Sequence, residues 1–127
     1  MVVVAAAIPL LVGKGEQWRR WTQELLGSRR SEYAASRQRL GIHLERCWTG
    51  TVQGVELVFV YLEVEDPVEM CTRLARSSHP FDRWYREKLR ELFGLDITQH
   101  HRGLLLEEVF VWPGYVPGFG TYTQESE

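Results

Sequence analysis

The sequence predicts an α+β fold, a four-stranded antiparallel sheet with helices on one face and elements in the order βαββαβ. Three observations predict it. Residues 2–12 and 55–64 are apolar on both strand faces, segments with helical spacing separate the strand-like runs, and Gln53-Gly54 reads as a tight hairpin turn. In this topology the first and third strands are central, and they are the two runs that are apolar on both faces. The helices cover one face, so the other predicts a homodimer formed sheet against sheet.

Residues 1–11 read as the first strand. They are apolar enough to resemble a signal peptide, but they lack a basic leading region and run directly into Val12-Gly13-Lys14-Gly15. In residues 16–40, Trp18, Trp21, Leu25, Tyr33 and Leu40 keep helical spacing, with Gly27-Ser28 as the one interruption. One long helix is expected, or two with a kink. Residues 42–51 alternate as a strand, with Ile42, Leu44 and Trp48 on one face and His43, Glu45 and Cys47 on the other. Asp66-Pro67 supplies an N-cap and a first-position proline for a helix to residue 77. After a break at residues 77–80, in which His79 before Pro80 suggests a loop or helix cap, a further helix runs over 81–93 and stops at Gly94. Residues 104–112 are expected as the fourth strand. One domain therefore spans 1–112, and residues 113–127 form a tail rich in Gly, Pro and Tyr.

Composition narrows the function. The chain has 127 residues, net charge -2 and arginines interspersed with glutamates, which argues against nucleic acid as a partner because phosphate recognition needs clustered basic excess. No stretch reaches the roughly 18 apolar residues that would span a membrane. Cys47 and Cys71 lack scaffold-like spacing, so reduced thiols and a cytoplasmic location are expected. A phosphate loop, a recognisable nucleophile triad and zinc spacing are absent, and no cofactor is expected.

The runs Gly13-Lys14-Gly15-Glu16-Gln17-Trp18, Gly27-Ser28-Arg29-Arg30-Ser31-Glu32-Tyr33, Ser36-Arg37, Arg39-Leu40-Gly41-Ile42 and Pro80-Phe81-Asp82-Arg83-Trp84 carry a resemblance. They are similar to a group of uncharacterised bacterial proteins of the dimeric α+β barrel superfamily. The resemblance implies a ferredoxin-like fold and a dimer, and a distant kinship with antibiotic-biosynthesis monooxygenases; it implies no reaction. Two departures count against a cofactor-independent monooxygenase. Such enzymes commonly place an asparagine near the substrate, and this chain has none. Many also carry a histidine one turn before a Ser-x-x-Phe stretch, where this chain has Ala75 before Ser78-His79-Pro80-Phe81.

The strongest candidate site lies on the long helix. Projection at about 100° per residue aligns Trp18, Leu25, Arg29, Ser36 and Leu40, with Tyr33 and Arg37 beside them, so the inward stripe turns polar in its second half. Facing a cavity, Arg29 or Arg37 would hold a carboxylate or enolate oxygen and Tyr33 would donate a proton. Ser36 would line the site, and Trp48 and Trp84 would form its walls. The competing account is that Gly27-Ser28 rotates the second segment, the arginines pair with Glu32 or nearby acids, and Tyr33 and Trp84 are core. His43, Glu45 and Cys47 share a strand face and are metal-capable, but a half-buried polar row explains them equally, and no metal is expected. The adjacent His100 and His101 point apart and read as solvent-exposed. Asp82 and Arg86 fit an intrahelical pair worth about 0.3–0.5 kcal/mol.

Three function classes follow. The first is an enzyme without metal acting on a small aromatic or polyketide-like molecule. The second is a protein binding such a molecule without turnover. The third is a structural or interaction dimer with a filled core.

Overall fold

The computed structural model describes residues 1–100 and 106–114. Strands β1 (Val2–Pro9), β2 (Ile42–Val52) and β3 (Val55–Val64) form an antiparallel sheet in the order β1-β3-β2. Helices α1 (Gly15–Leu26) and α2 (Arg30–Arg39) precede β2. Helices α3 (Pro67–Arg76), α4 (Pro80–Phe93) and the short α5 (Ile97–His100) follow β3. The protein is thus α+β, and among the described residues no helix is long and apolar enough to cross a membrane.

Register decides which side chains meet the helices. Val58, Leu62 and Val64 of β3 are buried in the core, so their cross-strand partners Ile8 and Val4 on β1, and Glu45 and Ile42 on β2, stand on the same face. The core is closed by Trp18, Trp21 and Leu25 of α1, Met70 and Leu74 of α3, and Phe81, Tyr85, Leu89 and Leu92 of α4. Burial of Phe81 or Leu92, each 1% exposed, contributes about 1.5–3 kcal/mol. On the opposite face Val3, Trp48 and Phe59 remain 41–50% exposed.

Local chemistry explains the element ends. Asp66 Oδ1 accepts the Glu69 N–H at 3.0 Å and Pro67 opens α3. His79 caps α4, its Nδ1 accepting from the Phe81 N–H at 3.3 Å. Gln53 and Gly54 both have positive φ, 50° and 79°, as a two-residue hairpin turn requires. Between α1 and α2 the chain turns at Gly27, with φ -114° and ψ -100°; a Cβ there would lie 2.9 Å from the Gln23 carbonyl oxygen. The segment 16–40 is therefore two helices.

Four expectations are corrected. Residues 106–110 are not a strand, Val111 makes an isolated bridge and 112–114 form a turn, while 104 and 105 lie outside the described residues. Val109, Phe110 and Trp112 remain exposed, because an apolar run forms a strand only where something buries it. With three strands among the described residues, β1 is an edge rather than central, although the Leu106 N–H donates to the Ala5 carbonyl at 2.7 Å.

A register shift between Ile42 and Leu44 is the third correction. This bulge places His43 out of phase, so Ile42 shares the helix-facing side with Glu45 and Cys47, whereas Leu44 and Trp48 face away. Fourth, Asp82 does not pair with Arg86. Arg86 Nη1 instead donates to the carbonyls of Leu74 and Ser77 at 2.8 and 2.7 Å, serving backbone acceptors at the end of α3. Of the remaining expectations, His101 and residues 115–127 lie outside the described residues.

Candidate functional site

In α2, Tyr33, Ser36, Arg37 and Leu40 recur at the i, i+3, i+4, i+7 spacing that points one stripe inward. Ser36 is fully buried and Leu40 nearly so. The bulge at the start of β2 turns Glu45 and Cys47 toward this stripe. Glu45 Oε1 accepts the Tyr33 hydroxyl at 2.5 Å and Arg37 Nη1 at 2.9 Å. The Arg37 guanidinium lies 4.7 and 4.9 Å from the ring centroids of Tyr33 and Tyr85, so it is held by its carboxylate and by two aromatic rings.

A second polar centre anchors the first. Arg37 Nη2 donates to Ser36 Oγ at 3.3 Å, and the Ser36 hydroxyl donates to Asp82 Oδ1 at 2.8 Å. Asp82, 1% exposed, also accepts Arg39 Nη2 at 3.0 Å and the Ser77 hydroxyl at 2.6 Å. Burial alone would raise its pKa, but Ser77, Ser36 and Arg39 outweigh burial and hold the carboxyl below its ordinary range. The ionised Asp82 joins α2, α4 and the connection before α4.

Burial and the Glu45 charge raise the pKa of the Tyr33 hydroxyl, and the same two causes raise that of Tyr85. Cys47 is exposed, and partial desolvation beside the cleft, then the Glu45 charge, push its thiol up to about 12. At neutral pH the cluster therefore presents protonated hydroxyls, a neutral thiol and one internally balanced ion pair.

Two spaces share lining residues here. An apolar cavity of about 130 Å³ lies between the sheet and α1, α3 and α4, walled by residues such as Val58, Leu74 and Leu89. A wider cleft of about 430 Å³ runs between α1, α2 and β2, past Leu25, Tyr33 and His43. Trp18, Trp21, Arg37, Glu45, Cys47 and Tyr85 line both. Among the described residues, two buried donors in this shared set have no hydrogen-bond partner, Trp21 Nε1 and Arg37 Nε.

Of the residues selected from sequence, Tyr33 and Arg37 reach the cleft, with Ser36 bonded behind Arg37. Arg29 does not join them; its Nε pairs with Glu24 at 3.0 Å, an Nη lies 3.5 Å from Glu32, and the guanidinium stacks on Trp84 at 3.9 Å. Trp84 packs at 6.4 Å from Trp21 without lining either space, and Trp48 stands on the other face of the sheet. His43 is turned out by the bulge and lies 3.1 Å from Glu65. Among the described residues no group of three or more His, Cys, Asp or Glu could hold a metal ion.

Sequence pattern offers Glu45 only as a metal-capable acid on a strand face and does not single out Trp21 or Tyr85. A signal was present for Glu45, an acid in a strand phase that the bulge, once recognised, assigns to the helices. Chemically, Glu45 is the one carboxylate among the described residues that lines both spaces, and it is held by donors from α2.

A scan against protein-family models gives no match, and searches of curated proteins and of solved structures give none either.

Proposed function

We propose that the protein binds or converts a small, largely apolar, ring-containing molecule in the cleft between α1, α2 and β2. The observation that carries this reading is a cleft and an apolar cavity that share lining residues, with Arg37, Glu45 and Tyr85 lining both and Tyr33 lining the cleft. Apolar walls supply affinity and a few polar groups fix orientation. Tyr33 and Arg37 take the orienting roles through Glu45, which accepts from both and fixes their side chains at the cleft. The test is titration of a panel of bicyclic aromatics, read by the emission of Trp18 and Trp21. Quenching that saturates in the wild type and is lost in a folded Cys47→Phe variant, which adds a ring to the shared lining, supports the reading. A panel without saturable binding overturns it.

The proposal includes a ferredoxin-like arrangement and a homodimer. The face opposite the helices carries Val3, Leu44, Trp48 and Phe59 half-exposed, and a second copy would bury such a patch. The Leu106–Ala5 bond lies where a fourth strand would add to β1. This supports the sheet-to-sheet dimer that the sequence pattern predicts.

A further inference from the structure

The balance of donors, acceptors and charge in the cleft specifies more than an apolar ring. The Arg37 charge is matched by Glu45 at 2.9 Å, and Glu45 Oε1 already accepts two hydrogen bonds. An anionic ligand would compete with Glu45 for Arg37 and lie beside an unscreened carboxylate. Unsatisfied capacity exists instead on the donor side. Among the described residues, Trp21, 6% exposed, has no acceptor for its indole N–H, and Arg37 has none for its Nε–H. Indole and guanidinium nitrogens cannot accept, so only an acceptor atom satisfies them. A buried donor without a partner is costly, and one bound oxygen lone pair removes that cost.

We infer that the ligand is an uncharged aromatic ketone or related carbonyl compound whose oxygen takes the free N–H groups of Trp21 and Arg37 while its rings occupy the apolar cavity. This rests on the proposal that the cleft binds a small molecule, and it names the ligand class. Glu45 and Tyr33 set the polarity of the site without contacting the carbonyl, and Arg37 binds through Nε while Nη1 stays on the carboxylate.

Three naphthalenes differing in one substituent separate the possibilities: 2-acetylnaphthalene, the hydrocarbon 2-ethylnaphthalene and the anion 2-naphthoate. Each is titrated calorimetrically into the intact wild-type protein, and the indole N–H resonances are followed by NMR. The expected result is ketone affinity about fivefold or more above that of the hydrocarbon. Naphthoate should bind more weakly than the ketone, and the Trp21 indole proton should shift downfield with the ketone alone. In Trp21→Phe the ketone should lose about threefold to tenfold while the hydrocarbon is unchanged.

Equal binding of ketone and hydrocarbon, or tightest binding by naphthoate, overturns this inference and leaves the cleft as a binding site. Failure of all three to bind overturns both. The wild-type comparison decides the question even if Trp21→Phe is too unstable to study.

Discussion

Arg37 of α2 and Glu45 of β2 meet at 2.9 Å with side chains only 13% and 15% exposed, joining the helix layer to the sheet at the rim of the cleft. Such a pair is costly to break from one side, because the survivor is left charged and poorly solvated. Glu45→Leu alone should destabilise the protein by about 3 kcal/mol, Arg37→Met alone should do likewise, and the two combined should recover most of that loss. Urea denaturation of the two single variants and the double variant measures the coupling.

Asp82 makes stability pH-dependent in acid. Its folded pKa lies below the unfolded value, so its contribution is complete above the unfolded pKa, near 4, and disappears as pH falls through the lower folded pKa. Asp82→Asn should reduce stability at pH 7 by about 2 kcal/mol and flatten the fall below pH 4. Denaturant midpoints recorded from pH 2.5 to 7 in both proteins check the sign and the window.

Cys47 should be a slow thiol. With its pKa at about 12, the thiolate is scarce at pH 8, so an aromatic disulfide reagent should modify it far more slowly than a free cysteine. Glu45→Gln removes the neighbouring charge and should speed the reaction, as stopped-flow absorbance would show.

Gln53 adopts φ 50° in the hairpin turn, a conformation that asparagine tolerates better. Gln53→Asn should stabilise the protein by about 0.5 kcal/mol without altering the cleft. Thermal unfolding followed by circular dichroism reads this directly.

The open sheet face carries the assembly prediction. Phe59→Glu places a charge in the middle of the exposed apolar patch and should shift the protein from dimer to monomer at micromolar concentration in sedimentation velocity. A wild type that is monomeric at every concentration would contradict the proposed dimer.

Local signals in this sequence were legible because local chemistry decides them. The Asp66-Pro67 start, the Gln53-Gly54 turn and the Gly94 stop each follow from one or two residues. The inward polar stripe was also legible, because helical spacing alone brings Tyr33, Ser36 and Arg37 together. Arg29 failed to join them because the turn at Gly27 redirects it to Glu24 and Glu32. Glu45 was obscured by a single extra residue at His43, since one bulge reverses the alternation that assigns faces. The partners of Asp82 come from Ser36, Arg39 and Ser77, contacts that no local pattern announces.

The central claim is that the cleft organised by Arg37 and Glu45 is a ligand site. Its most direct test is a two-dimensional ¹H–¹⁵N NMR titration of the labelled protein with an aromatic fragment library, following the indole and arginine Nε signals. The account predicts saturable shifts at Trp18, Trp21 and Arg37, with Trp48 unmoved on the other face of the sheet. Fragments that shift Trp48 alone, or leave all these signals in place, would contradict it.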